Sequence, residues 1–209
     1  MATDKAVEFY KAAKQHVNGT AFQTEIRWQA QRNFREFTES DLLREAAWVV
    51  LCSGFREAFV RTCFSFISIC FCEWESAALI CENADLCRAT ALSRFGNVRK
   101  IEAIINAAKY IHDTGFDIYR TTILQDPIPA LRCLPYIGGV TAFHLAKNLG
   151  ADLAKPDRHL SRLAAAQGFY DAHALCSAIA QATGDPRNVV DLVLWRYLEQ
   201  GHRFSEDSV

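Results

Sequence analysis

Apolar residues recur with helical spacing along most of the chain. Between residues 101 and 111 they fall three or four positions apart, and Gly115 follows as a helix stop. No run alternates apolar and polar residues with period two, and neither Asn-Gly nor Asp-Gly separates two apolar runs. The pattern therefore predicts an all-α protein.

The periodicity, the candidate caps and the glycine stops together predict a series of helices. They cover residues 4–16, 21–34, 42–53, 55–70, 73–80, 85–93, 101–114, 129–133, 140–149, 158–167, 171–182 and 186–199. Asp4 is expected to cap the first helix, and Ser40 with Asp41 to open the third. The tail 205–209 is expected to be loose.

Residues 134–139, which read LPYIGG, form a tight connection between two predicted helices. Such a hairpin turns backbone N–H groups and a helix N-terminus outward, where they can bind a phosphate. Leu134 and Ile137 would anchor it in the core, Gly138 would supply backbone freedom, and Thr141 would cap the next helix. Taken alone, the segment also fits an ordinary helix–helix turn.

Asp157 follows Gly138 by 19 residues and directly precedes an apolar-periodic helix. A Pro-Asp pair at a helix start is usually an N-cap. A capping carboxylate is also oriented by backbone N–H groups, so it can meet positive charge that develops on a sugar. Cap and catalyst are therefore compatible at this position.

The composition is that of a globular protein with no overall attraction to nucleic acid. Half of the 209 residues are apolar and the formal net charge is -1, so any DNA binding must use a local basic surface. The longest apolar stretch, 64–72, is far shorter than the roughly 20 residues of a membrane helix. The first residues show no secretory or transit character, and we expect a cytoplasmic protein without membrane contact.

The chain has eight cysteines, and no two form a C-x-x-C pair. Most lie within apolar stretches, which favours buried, reduced thiols over metal ligation. They are Cys52, Cys63, Cys70, Cys72, Cys81, Cys87, Cys133 and Cys176.

Residues 134–142 (LPYIGGVTA), followed by 155–160 (KPDRHL), resemble the helix-hairpin-helix DNA glycosylase superfamily. Its members include endonuclease III, the alkylated-base glycosylases and the oxoguanine glycosylases. The resemblance implies that Asp157 is the catalytic carboxylate. It also implies two helical lobes, residues 1–35 with 150–209 and residues 36–149 ending in the hairpin, with a cleft between the lobes.

The likeness extends more faintly to two turns that insert into DNA in this superfamily. Residues 48–55 are similar to the early helix and its terminal turn, which places Phe55 at the insertion position. Residues 95–97 resemble the second insertion loop, with Phe95 at the wedge. An aromatic ring can fill the stack that an extruded base leaves. Core packing is the alternative role for each ring.

The resemblance also implies which residues contact DNA and which line the base pocket. The expected DNA contacts are Leu134, Tyr136, Gly138, Gly139, Thr141, Lys147, Lys155, Arg158 and Arg162. The pocket candidates are Trp28, Trp48, Tyr136 and His159, each of which also fits a core or surface role.

Two departures from the superfamily pattern narrow the expected chemistry. Val140 stands where bifunctional members carry a Schiff-base lysine, so no lyase chemistry of that type is expected. Lys155 is an alternative nucleophile, although a phosphate contact or a solvated charge fits it better. Only Cys176 lies beyond Asp157, so no iron–sulfur loop is expected. No cofactor is expected, with a structural monovalent cation at the hairpin as an alternative.

We expect a monomeric, monofunctional DNA glycosylase that flips a damaged or modified base from double-stranded DNA and leaves an abasic site. Base excision repair is the expected setting. Three alternatives stay open: removal of modified phage bases in antiviral defence, a base-modifying transferase, and a nonenzymatic DNA-binding protein on the same fold.

Overall fold

The computed structural model describes residues 2–204 as two compact helical units. The terminal unit combines residues 1–34 with 150–209, and the central unit is the continuous segment 35–149. The described residues contain no strand, so the predicted all-α class is confirmed. The tail 205–209, which was expected to be loose, lies outside the described residues.

Five helices make up the described part of the terminal unit. They are α1 (Ala2–Asn18), α2 (Gln23–Gln31), α11 (Arg158–Ala166), α12 (Ala172–Thr183) and α13 (Arg187–Glu199). Helix α1 buries one stripe of side chains spaced three or four apart, namely Ala6, Tyr10, Ala13 and Val17. That stripe shares a core with α11, α12 and α13, so the two ends of the chain complete one hydrophobic core.

Eight α-helices make up the central unit. They are α3 (Glu39–Cys52), α4 (Glu57–Cys70), α5 (Ala77–Glu82), α6 (Ala84–Leu92), α7 (Val98–Thr114), α8 (Phe116–Gln125), α9 (Pro127–Leu131) and α10 (Gly139–Asn148). The predicted Ile101–Ile111 stripe of α7 is buried, and Gly115, with φ of 81°, ends that helix as predicted. Helices α3, α5 and α6 pack on α7, which therefore lies at the centre of this unit.

Several helix starts differ from the prediction because the caps are other residues. Thr38 caps α3 by accepting a hydrogen bond from the backbone N–H of Asp41 at 3.1 Å, while Asp41 accepts one from the N–H of Thr38 at 2.9 Å. Asp41 therefore completes the cap from inside the helix, and Ser40 is not the start. Asp4 lies inside the first turn of α1 rather than before it.

Helix α8 was not predicted, because its sequence is rich in Ile and Thr, which favour helix weakly. Tertiary contacts supply what intrinsic preference does not. Tyr119 and Ile123 are buried, and the Tyr119 hydroxyl donates a hydrogen bond to the carbonyl oxygen of Ala130 at 2.9 Å.

Two other predicted elements are shorter or broken. Helix α2 ends at Gln31 instead of residue 34. The predicted helix over 73–80 is instead a short turn at Cys72–Trp74, followed by α5. All three residues of the turn have positive φ, a backbone region that side chains other than glycine rarely adopt.

Gly150 begins the second segment of the terminal unit, and its surroundings admit no side chain. Its φ is 101°, and a Cβ placed there would lie 2.8 Å from the backbone nitrogen of Phe34. The two segments of the terminal unit therefore touch, backbone to backbone, close to the points where the chain enters and leaves the central unit.

All eight cysteines are free thiols. The prediction that most are buried is wrong: Cys63, Cys87 and Cys176 are buried, Cys133 is exposed, and the other four are half-buried. Across residues 2–204, no cluster of three or more His, Cys, Asp or Glu side chains is arranged to hold a metal ion. Over the same residues, no helix combines the length and the apolar character needed to cross a membrane.

Candidate active site and DNA-contact surfaces

Asp157 is the N-cap of α11, in the terminal unit. Its Oδ1 accepts hydrogen bonds from the backbone N–H groups of His159 at 2.9 Å and Leu160 at 3.0 Å. Within the described chain, Oδ2 accepts no hydrogen bond, and the residue is half-exposed. One oxygen thus fixes the carboxylate on the helix, while the other is left to meet a ligand.

The backbone before Asp157 is fixed by a second carboxylate. Asp191 on α13 is 1% exposed, and its Oδ2 accepts a hydrogen bond from the backbone N–H of Lys155 at 2.6 Å. The N–H of Asp157 in turn donates to the carbonyl oxygen of Lys155 at 2.8 Å. Asp191 therefore fixes the backbone just before Asp157 to the core of the terminal unit.

The basic side chains expected around Asp157 are placed unequally. Arg158 and Arg162, one turn of α11 apart, are both exposed, as a phosphate contact requires. Lys155 is half-buried. Lys147, on α10 of the central unit, is 5% exposed, so the expectation that it contacts DNA is wrong in this fold. It lies on the buried face of α10, beside Asn148.

The hairpin of the central unit has the form that the sequence predicts. Leu134 and Ile137 are buried, whereas Gly138, Gly139 and Val140 are exposed at the start of α10. Gly138 is the N-cap, and the Thr141 hydroxyl accepts a hydrogen bond from its N–H at 2.7 Å. Thr141 therefore acts from inside α10, and the first backbone N–H groups of the helix face outward.

Tyr136 occupies an unfavourable backbone conformation in the hairpin. Its φ is 69°, in the region that glycine favours, and its ring is half-exposed. For a bulky residue this conformation costs about 1–3 kcal/mol. The hairpin carries an aromatic ring at a position where glycine would be relaxed.

The two candidate wedges lie side by side but are not equally accessible. Phe55 is 40% exposed on the turn after α3, whereas Phe95 is 2% exposed, with ring centroids 5.3 Å apart. Phe59 stacks on Phe55 at 6.0 Å. Phe95 is therefore packed in the core, and Phe55 is the more exposed of the two candidate rings. The three rings line a groove of about 430 Å³ with Asn97 and Arg99.

The four pocket candidates are divided between the units. Trp28 and His159 belong to the terminal unit, and Trp48 and Tyr136 to the central one. Trp48 packs edge-on against Phe64, with ring centroids 4.9 Å apart, and beneath the Arg61 guanidinium. Trp48 thus fits a packing role. The Arg32 guanidinium lies 5.3 Å from the ring of half-buried Trp28.

Two buried charged residues at these sites were missed in the sequence. Asp191 interrupts α13 at a point where residues 188–194 are all buried. Lys100 begins the stripe that continues with Ile104 and Ala107 on α7. A buried charged residue needs a polar partner. A charge at a position that the helical periodicity assigns to the buried face was therefore the sequence signal for these two residues.

Comparison with known proteins gives matches in structure only. A scan against protein-family models finds no match, and a search of the curated proteins finds none. Among solved structures, matches over nearly the whole chain are 8-oxoguanine DNA glycosylases, which belong to the helix-hairpin-helix superfamily. The chain therefore has the fold of the helix-hairpin-helix DNA glycosylases, as the sequence predicts.

Two of these structures define the likeness. One is the 8-oxoguanine DNA glycosylase of Thermotoga maritima, 20% identical, with a TM-score of 0.58 over 94% of this chain and 98% of that one. The other is the Methanocaldococcus jannaschii 8-oxoguanine glycosylase/lyase in complex with a DNA 15mer containing 8-oxoguanine. It is 18% identical, with a TM-score of 0.58 over 95% of this chain and 100% of that one.

Proposed function

We propose that the protein is a DNA glycosylase that hydrolyses the N-glycosidic bond of a flipped damaged or modified base. The observation that carries the proposal is the placement of Asp157: a half-exposed carboxylate fixed through one oxygen at the start of α11, in a chain with the glycosylase fold. The sequence motif at residues 155–160 predicts the same residue.

The proposed reaction uses the oxygen of Asp157 that the helix leaves unused. As the bond between C1′ and the base breaks, its electron pair leaves with the base and the sugar gains oxocarbenium character. Asp157 stabilises that charge and orients the water that adds to C1′. The proton released from the water balances the charge on the departing base, and the products are a free base and an abasic site.

We further propose that the enzyme is monofunctional. Val140 offers no amine at the hairpin position where lyases attack the sugar. Lys155 is the nearest amine in sequence to Asp157, and its backbone is tied to Asp191. Reaction with an abasic duplex in the presence of borohydride should therefore trap no covalent complex. A trapped complex that disappears in Lys155→Met would overturn this part of the proposal and identify Lys155 as the nucleophile.

DNA contact is proposed for both units. Gly139 and Val140, which follow the N-cap Gly138, would present backbone N–H groups to a phosphate. Arg158 and Arg162 would contact the backbone beside the target nucleotide, and Phe55 would enter the base stack. These assignments account for DNA binding by a chain whose net charge is close to zero.

The identity of the base is the open part of the proposal, and the first substrate to test is 8-oxoguanine. Both solved neighbours are 8-oxoguanine glycosylases. Repair of damaged DNA is the setting that we propose, and hypermodified phage bases are the comparison that would point to defence.

The deciding experiment is mass spectrometry of the nucleobase fraction after incubation with duplexes carrying oxidised, alkylated, deaminated or hypermodified bases. The wild type should release one class of base, and Asp157→Asn should release none while still binding an abasic-analogue duplex. A modified base that stays attached to the sugar would instead identify a transferase. If no duplex loses or changes a base, the protein is not a glycosylase.

A further inference from the structure

Lys100, in the first turn of α7, is a lysine buried as deeply as the core. It is 2% exposed, and its Nζ donates hydrogen bonds to three backbone carbonyl oxygens. They belong to Val50, to Leu51 at 3.2 Å and to Ser53 at 2.6 Å. An ammonium has three N–H donors, so these acceptors satisfy it completely. That explains how a charged group can be buried here without a carboxylate partner.

The three carbonyl groups lie at the C-terminal end of α3, where the helix leaves acceptors unsatisfied and carries partial negative charge. The turn that follows contains Gly54, with φ of 77°, and the Phe55 N–H donates to the carbonyl oxygen of Cys52 at 3.1 Å. Lys100 therefore fixes the last turn of α3 and the direction in which Phe55 leaves it.

The same ammonium lies beneath two half-exposed aromatic rings. Its Nζ is 5.3 Å from the centroid of Phe55 and 5.0 Å from that of Tyr136, distances at which a cation attracts an aromatic face. Burial lowers the pKa of Lys100 below its usual value, and the nearby Cys52 opposes that shift only in part. Lys100 thus joins the turn after α3 to the hairpin.

Lys100 also adjoins the loop 95–97, the second of the two segments that the sequence predicts to insert into DNA. Asn97, at the end of the loop after Phe95, caps α7 by accepting a hydrogen bond from the Lys100 N–H at 3.2 Å. The insertion turn, the second loop and the hairpin all meet at this residue. The strained backbone of Tyr136 fits the same arrangement, because its ring gains the cation contact that a glycine could not make.

We infer that Lys100 is a positioning residue for DNA distortion: it holds the Phe55 and Tyr136 rings in one arrangement, ready to enter the stack when the target base is extruded. The inference rests on the proposed function, since it assigns a step of that reaction. Lys100 touches no reacting atom and acts through Phe55.

The test uses a duplex with a tetrahydrofuran abasic analogue opposite 2-aminopurine, so that distortion is read by fluorescence and no base need be released. Wild-type protein should raise the fluorescence. Lys100→Met should increase the protein concentration for half-maximal fluorescence about tenfold, the size of coupling expected for residues in contact. Lys100→Arg should restore part of the signal, and Lys109→Met, an exposed lysine on the same helix, should behave as wild type.

A double-mutant cycle separates positioning from general stability. In a Phe55→Ala background, where the ring is absent, Lys100→Met should change the midpoint less than about twofold. An equally large effect with and without Phe55, no effect of Lys100→Met, or no fluorescence change with wild-type protein would each overturn the inference. Loss of base release with the fluorescence response intact would instead count against the glycosylase proposal alone.

A second measurement leaves Lys100 in place and does not depend on how its variants fold. In NMR spectra with labelled lysine, the Lys100 ε-methylene protons should be shifted by the two rings. Phe55→Ala and Tyr136→Gly should each move the signal toward the position typical of an exposed lysine. If neither variant moves it, the ammonium is not beneath these rings, and the inference is wrong.

Discussion

The two units present different chemical groups, and each unit fixes the segment that carries them with a buried charged side chain. The terminal unit carries the one carboxylate expected to act on the sugar, and the central unit carries turns, rings and backbone N–H groups. In each unit, a buried charged side chain binds the backbone of the segment concerned. Asp191 accepts from the N–H of Lys155, and Lys100 donates to the carbonyl groups at the end of α3.

The comparison shows that the sign of the buried charge corresponds to the backbone group that it binds: an anion binds N–H groups, and a cation binds carbonyl oxygens. The start of a helix or a loop offers N–H donors, from which a carboxylate can accept, and the end of a helix offers carbonyl acceptors, to which an ammonium can donate. The other buried residues of α7 are apolar, whereas α13 buries Asn188 and Arg196 in addition to Asp191. Because both anchors bind backbone groups, a substitution of a surface side chain on either segment leaves the anchoring hydrogen bonds intact.

The largest effect is expected when the carboxylate of Asp157 is removed from the terminal unit. Asp157→Asn should lower single-turnover base release by about 10³-fold, because removal of one group that stabilises developing charge typically costs that much. Asp171→Asn is the matched control, since Asp171 caps α12 through the N–H of Ala174 at 2.7 Å. If both variants lose the same activity, capping rather than catalysis explains the effect.

Substitution of the adjacent rings Phe55 and Phe95 tests whether the exposed ring inserts into DNA and the buried ring stabilises the core. Phe95→Ala should lower the free energy of unfolding by about 3–5 kcal/mol, because it leaves a cavity in the core. Phe55→Ala should change it by less than about 1 kcal/mol, yet reduce the 2-aminopurine response and shift its midpoint to higher protein concentration. Chemical denaturation measures the first quantity. The reverse pattern would make Phe95 the wedge after all.

The Asp191 anchor should matter less than the acid that it positions. Asp191→Ala should lower the free energy of unfolding by about 2 kcal/mol through loss of a charged hydrogen-bond acceptor. Base release should fall about tenfold, because the Lys155 backbone is no longer held in place. Asp191→Asn keeps an oxygen acceptor and should recover most of the activity. A fall in stability with no change in rate would show that the anchor serves the fold alone.

The smallest effect is expected from single surface charges. Arg162→Gln should weaken DNA binding a few-fold and reduce the slope of log K against log salt by about one. The buried Lys147 should contribute nothing to that slope, so Lys147→Met should leave it unchanged. A lower slope for Lys147→Met would reinstate Lys147 as a phosphate contact.

The sequence predicted the helical class, the hairpin and the position of Asp157 as a helix cap because each has a local signal. Periodicity indicates helices, and the LPYIGG turn and the Pro-Asp cap are short patterns. Helix α8 has no such signal, since its stability comes from burial of Tyr119 and Ile123 rather than from intrinsic preference.

The residues that were misjudged are those whose role depends on neighbours distant in the sequence. Phe55 and Phe95 are both aromatic and both follow a helix, and only packing shows which one is exposed. Lys147 is charged, which favours the surface, yet it lies on the inner face of α10. Lys100 and Asp191 become identifiable only when the buried stripe is read for charges as well as for apolar residues.

The touching segments at Phe34 and Gly150 have a consequence for biosynthesis. Helix α1 leaves the ribosome before the central unit, while the helices that cover its Tyr10 and Val17 are made after that unit. The whole central unit is synthesised in between and can fold as an uninterrupted domain. Until α11, α12 and α13 are made, the newly made α1 must keep an apolar stripe uncovered, and chaperone binding during translation should concentrate there.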